Sequence, residues 1–367
     1  MGKNERHSKI EEIEKVLKAK VVCFVTSDRF GVEPPASYIT RDCVKIIEQH
    51  FDIDEHRDTL ALYLISHGGD IDVPWPLVNL LRCHCKKLIV VIPYISHSAA
   101  TQIVLGCDEI VAGPRAQLSP TDPMLQVRTS NDENAPVMQF GVEDINAFVR
   151  FVKNNLGREY ARHGHESLGK LIERVKPELL GSVNRTYLRS RLLIEKMRAL
   201  TGKKYSKKEM DSLIDHLTVA YFSHGHFISR NEMINDLKLS VTLAEDLKID
   251  RIIWELYEDY ATELESRRPY DAQRELSKAT TNPVTLKIKG KFVESTKRTD
   301  IYEQTTILQG AGVPNFNFSL PAMPQGTQLP PDLLQQIINH FLQELNSQLA
   351  PFQVVKKLAT FGEWKTE

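Results

Sequence analysis

The stretch Leu62-Tyr63-Leu64-Ile65-Ser66-His67-Gly68-Gly69-Asp70 decides how the chain is read. It opens as an apolar run rich in Leu and Ile, the mark of a strand buried on both faces of a parallel sheet. It closes on two residues without a Cβ, where backbone can pass close to a ligand and an exposed N–H can meet a developing oxyanion. A second segment, Pro93-Tyr94-Ile95-Ser96-His97-Ser98-Ala99-Ala100-Thr101, repeats the pattern. Ser98 stands just past an expected strand, Lys87–Pro93, at the start of a small-residue helix. The first-turn N–H groups of a helix lack internal partners, so a serine oxygen there can attack a carbonyl while nearby donors hold the charge. Ser98 can thus serve as a nucleophile, with the N–H groups of Gly69 and Ala99 as oxyanion donors, although the residues taken alone favour a capping role. The plain alternatives are an N-capping serine and a tight diglycine turn.

Outward from this stretch the pattern alternates. A charged helix is expected over residues 8–19, a strand over Lys20–Thr26 and a helix over Ser37–His50. A second strand follows at Thr59–Ser66, a helix at Asp70–Cys85 with Pro74 and Pro76 near its first turn, then a helix at Ser98–Gly106 and a strand at Glu109–Ala112. The β-α-β-α-β-α-β order argues an α/β class, a parallel sheet with helices on its faces and right-handed crossovers.

Residues 126–141 are polar and turn-rich and read as a flap. Helices are expected at Glu143–Leu156, Leu188–Leu200, Ser206–Leu217 and Leu247–Arg267, with Ser206 and Glu209 spaced as a capping box. The chain divides into a unit over residues 1–267 (core about 20–245) and a C-terminal extension over 268–367. The extension comprises a hairpin over 284–308, a Pro/Gly-rich linker over 310–331 and an amphipathic helix over 333–349. The helix's apolar stripe calls for a second surface, in this chain, another copy or a protein partner.

Composition narrows the function. The net charge is −1 over 367 residues, so no overall field favours nucleic acid or an anionic membrane. No apolar run is long enough to span a bilayer, and the charged N-terminus is no secretory signal. Five cysteines, all but Cys43 in or beside apolar stretches, read as buried free thiols of a cytoplasmic protein. Cys83-His84-Cys85 lacks a second ligand pair, so no metal is expected, and no cofactor.

The Gly-Gly strand end, Ser98-Ala99-Ala100-Thr101, Leu105–Val111, Leu118–Pro123 and the later Leu217–Ile228 stretch with Ala244 resemble the serine dehydrogenase proteinase family. That family belongs to the superfamily of the Clp proteolytic subunit, signal peptide peptidase A and the crotonases. The resemblance spans roughly residues 20–245. It implies a ClpP/crotonase-like spiral of βαβ units and a serine peptidase, a homo-oligomer acting on a peptide or protein. The chain departs from the family at His67 (usually Pro), His97 (usually Lys or Ala), Ala100 (usually Gly) and Ser119-Pro120-Thr121-Asp122-Pro123 (usually Gly-Pro-Ile-Asp-Pro). A serine needs a base within reach. Lys153, as in a Ser-Lys pair, and His224 or His226 are candidates; the plain readings are a snorkelling lysine and turn histidines. His67, His97 and Gly68 flank the site as substrate contacts. Asp122 caps backbone or orients a base. Two other classes remain: a silent assembly module, and an acyl-CoA enzyme of the crotonase type, for which the expected glutamates are missing.

Overall fold

The computed structural model describes residues 2–52, 56–121, 124–128, 137–156, 169, 177–221, 223, 225–279, 281–310, 339 and 355–367. The chain opens with helix α1 (Lys3–Leu17), strand β1 (Lys20–Thr26), α2 (Asp42–Glu48), β2 (Arg57–Ile65), α3 (Pro74–Cys83) and β3 (Cys85–Ile92). Next come β4 (Ile95–Ser96), α4 (Ala99–Leu105), β5 (Glu109–Ala112), β6 (Gln117–Leu118), and a hairpin of β7 (Met124–Arg128) and β8 (Val137–Gly141). Helices α5 (Val142–Leu156), α6 (Pro177–Ala199) and α7 (Lys207–Asp215) follow, the last running into a π-helical turn at His216–Ala220. The chain continues through α8 (Arg230–Asn235), β9 (Val241–Leu243), α9 (Asp250–Glu263) and α10 (Ala272–Lys278). It ends in β10 (Val284–Ser295), β11 (Arg298–Gly310) and β12 (Val355–Thr366).

The α/β class holds. Eight strands form one sheet in the order β12-β11-β10-β1-β2-β3-β5-β9. β1, β2, β3, β5 and β9 run parallel, whereas β10, β11 and β12 add antiparallel to the β1 side. Burial on both sides explains the unbroken apolar runs. Val22, Phe24, Leu62, Leu64, Val90 and Ile92 point into one core with Leu77, Ile103 and Ile194. Val21, Cys23, Val25, Tyr63, Ile65 and Val91 point into the other with Ile10, Ile13, Ile253 and Leu256 of α1 and α9. Successive side chains of a strand take opposite faces, so both sets must be apolar.

Several boundaries move, each for a local reason. The helix expected from Ser37 begins at Asp42, because Ile39 is drawn out to bridge Gly69. The helix expected from Asp70 begins at Pro74, after the Asp70 carboxylate accepts the Asp72 N–H. The helix expected from Leu188 already runs from Pro177. The capping box at Ser206 and Glu209 is present. The 284–308 hairpin forms as β10–β11, and β10 continues the main sheet through Phe24↔Val293. Strand β12 is absent from the sequence reading. The cysteine reading is corrected at one position: Cys83 is exposed on α3, whereas Cys23, Cys43, Cys85 and Cys107 are buried free thiols. The linker and helix expected over 310–331 and 333–349 lie outside the described residues, apart from Gly310 and Asn339. Among the described residues no helix is long and apolar enough to cross a membrane.

Candidate active site

The two small-residue turns meet at the carboxyl ends of β2 and β3, the usual position of a site in a parallel sheet. Two backbone bonds stitch them together: the Ser66 N–H donates to the Ile95 carbonyl at 3.1 Å, and the His97 N–H to the Ser66 carbonyl at 2.9 Å. The Ser66 hydroxyl accepts from the Thr26 hydroxyl at 2.9 Å and from the Gly68 N–H at 3.0 Å, fixing the start of the diglycine turn. The far side is held by Ile39, whose N–H donates to the Gly68 carbonyl and whose carbonyl accepts from the Asp70 N–H, both at 2.9 Å.

Gly68 has φ +105° and Gly69 φ +154°. A Cβ at Gly68 would fall 2.8 Å from the Ser98 Cβ, 2.8 Å from the His97 carbonyl oxygen and 3.1 Å from the Ala99 nitrogen. Only glycine lets the turns come this close. The Ile39 bridge uses the Gly68 carbonyl and the Asp70 N–H, and the Gly69 N–H has no acceptor among the described residues. The Ala99 N–H likewise has no acceptor among the described residues.

Ser98 occupies the N-cap position of α4 with φ +51° and ψ −114°, and its side chain makes no capping hydrogen bond. A non-glycine residue in this region is strained and must be held by its surroundings. The Ser98 N–H donates to the Ser119 hydroxyl at 2.8 Å, and Thr101 ties α4 to both turns through the Ser96 carbonyl at 2.8 Å and the Ser119 carbonyl at 3.0 Å. Capping therefore does not account for Ser98: its half-buried hydroxyl takes no hydrogen bond with another described residue.

His67 and His97 flank the serine, their rings edge-to-face with centroids 5.6 Å apart. Lost hydration lowers the His67 pKa although part of the ring still meets solvent; Asp28 opposes the shift. Asp28 is itself held by the Tyr257 hydroxyl at 2.9 Å. Lys153 lies exposed on α5. His226 is tied to Glu232 at 3.0 Å and stacks on Tyr221 at 4.0 Å, a local clasp between its turn and α8. That turn reaches the site region through the pairing of Ile228 with Leu118, next to Ser119. His224 and Asp122 lie outside the described residues. The sequence reading missed the polar stitching by Thr26, Ser66, Thr101 and Ser119. The available signal was a small hydroxyl residue at each strand end.

A second serine sits in a different setting. His50 Nδ1 lies 2.9 Å from the Ser295 hydroxyl, and His50 Nε2 lies 3.0 Å from the Asp300 carboxylate. All three residues are buried. Burial pushes the His50 pKa down to about 4, against the pull of Asp300. Asp300 is held below the usual carboxylate range: burial acts the other way but is outweighed by hydrogen bonds from Arg298 and Thr366. No free path to a substrate exists at 0 % exposure of Ser295, so this chain of hydrogen bonds is a brace between α2 and the β10–β11 turn.

No protein-family model matches the chain, and no curated protein does. Among solved structures, a match is to a serine-to-alanine mutant of a membrane-bound stomatin-specific protease. It is 19% identical, covers 32% of this chain and 58% of that one, and has a TM-score of 0.21. The chain thus spans somewhat over half of that neighbour, and a TM-score of this size does not establish a shared fold.

Proposed function

We propose that this chain is a serine hydrolase, a cytoplasmic peptidase acting on a peptide or protein through an acyl-enzyme on Ser98. The observation that carries the reading is the backbone of Ser98, strained at φ +51° on a strand-to-helix turn, with a hydroxyl that bonds to no other described residue. A sharp turn of this kind is how a nucleophilic serine is presented to a substrate, and strain held by surrounding structure is a pointer to function. The resemblance over residues 20–245 supports the same reading and the ClpP/crotonase-like spiral. It also supports a site completed in a homo-oligomer.

In this mechanism an imidazole takes the Ser98 proton as Oγ attacks the substrate carbonyl carbon. His67 and His97 sit on the two turns that meet at Ser98, their ring centroids 5.6 Å apart, and the lowered pKa of His67 favours the neutral form that can accept. His224 remains the alternative histidine. Lys153 is less suited, because a lysine base must be desolvated to lose its proton near neutral pH, and this one is exposed. Charge on the carbonyl oxygen falls to the Gly69 and Ala99 N–H groups; such a donor is typically worth roughly 3 kcal/mol of transition-state stabilisation. The tetrahedral species expels the amine, which takes the proton from the imidazolium, and water releases the acyl group by the same steps.

A second reading, a silent assembly module, draws on one observation: no described base is hydrogen-bonded to Ser98. A fluorophosphonate probe separates the two. Labelling of the wild type that disappears in Ser98→Ala supports the hydrolase; absence of labelling in a folded wild type favours the module.

A further inference from the structure

The main sheet ends at β12, whose outer edge pairs with no other described strand. Residues 356–358 and 360–363 are exposed, with Leu358 at 45% and Phe361 at 58%. A long edge strand offers a row of unpaired N–H and C=O groups to another chain. β12 carries two features that guard such edges. One is a bulge at Leu358, since Ala359 faces Ile307 while Lys357 faces Leu308; the other is a pair of lysines, Lys356 and Lys357. Guarding accounts for the lysines but not for an aromatic ring left open beside them.

We propose that β12 pairs antiparallel with β12 of a second copy about a two-fold axis at Thr360, so that two sheets become one. A two-fold pairing is self-complementary: whatever residue i meets, the partner residue meets i. Residues directly opposite must also share a face of the sheet, so the axis passes through a residue. With the axis at Thr360 and the bulge counted, Lys356 lies opposite the second copy's Glu363, and the reverse pair forms by symmetry. Phe361 lies opposite Ala359, and the two Phe361 rings become diagonal neighbours on one face, within reach of each other. Opposite charges that face across strands favour the pairing, and like charges oppose it. Moving the axis to Phe361 sets Lys356 against Lys365, and moving it to Ala359 leaves Glu363 without a lysine of the second copy, only its own strand's Lys365 at 3.3 Å. The Thr360 register alone among these joins opposite charges and covers the exposed ring. The occupant is thus a second copy of this chain, chosen by charge pattern and symmetry.

The test uses the full chain. Sedimentation velocity at tens of micromolar should show a dimer. In a Cys83→Ser background, which removes the exposed thiol, Thr360→Cys should give a disulfide-linked dimer under mild oxidation, because position 360 faces itself. Lys356→Glu should weaken the dimer by at least tenfold, and the charge swap Lys356→Glu with Glu363→Lys should restore it. A monomer at that concentration overturns the proposal. So does a dimer that Thr360→Cys fails to cross-link and Lys356→Glu fails to weaken, since it would use another surface. Neither result bears on labelling of Ser98, so the hydrolase reading stands or falls separately.

Discussion

Two serines of this chain meet opposite fates. Ser295 has the complete hydrogen-bonded set that chemistry teaches one to look for, a histidine at 2.9 Å and an aspartate beyond it at 3.0 Å, yet all of it is sealed from solvent. Ser98 has no bonded base among the described residues, yet it is half-buried rather than sealed, strained, and set against the bare backbone of Gly68, while the Gly69 and Ala99 N–H groups have no acceptor among the described residues. Side-chain triads form wherever burial demands that polar groups be satisfied. A strained serine whose hydroxyl bonds to no described residue is not explained by such satisfaction, and its persistence asks for another explanation. Geometry around the reacting atom, rather than the roll of residue types, separates a candidate site from a brace.

The sharpest way to break the contrast is to exchange the serines' roles. Ser98→Ala should abolish fluorophosphonate labelling, whereas Ser295→Ala should leave it intact and lower the melting temperature; labelling lost only in Ser295→Ala would reverse the assignment. Next in size is Gly68→Ala. The added methyl would press on the Ser98 Cβ and the His97 carbonyl at 2.8 Å. Misplacement of this order costs about 100-fold in rate, read from labelling kinetics on protein that circular dichroism shows to be folded. Unchanged kinetics would mean that the two turns do not act together.

The brace makes its own prediction. Above pH 6.5, His50 is neutral in both folded and unfolded chains and contributes no pH dependence. Between 6.5 and about 4 the unfolded chain takes up a proton that the buried ring refuses, so stability falls as pH falls through that window. The loss approaches about 3 kcal/mol at the acid end. Urea melts across this range should show it, and His50→Gln should flatten the slope; an equal slope in both proteins would remove His50 as the cause. Smallest is the shift in the site itself. With His67 as base, the labelling rate should fall on acidification with a midpoint below the ordinary histidine value. A midpoint well above neutrality would point to a lysine instead.

Much of this was legible in the residues. Strands β1, β2, β3 and β5 announce themselves because burial on both faces leaves only apolar side chains. The approach of Ser98 to Gly68 follows from small residues at two successive strand ends. Other features depend on contacts distant in sequence and leave little local trace. Nothing around Ile39 signals that it will abandon a helix to pair with Gly69. His50 and Asp300 read as ordinary polar residues until the hairpin folds onto β1. Strand β12, with Lys356, Lys357, Glu363 and Lys365, lacks the alternation of a half-buried strand because much of it is exposed on both faces.

The segment from Ile39 to Asp42 has a wider consequence. Ile39 holds the diglycine turn, the Thr40 hydroxyl accepts from the buried Lys291 of β10 at 2.5 Å, and Asp42 accepts from the Trp364 indole of β12 at 2.5 Å. The diglycine turn therefore leans on residues 251 and 322 positions further along the chain than those they touch. During synthesis, the backing for Gly69 is incomplete until β10 and β12 have been made, so a chain lacking them would hold the diglycine turn less firmly. Labelling of chains stopped at residue 354 reads this out directly: full reactivity there would show that the tail arms nothing.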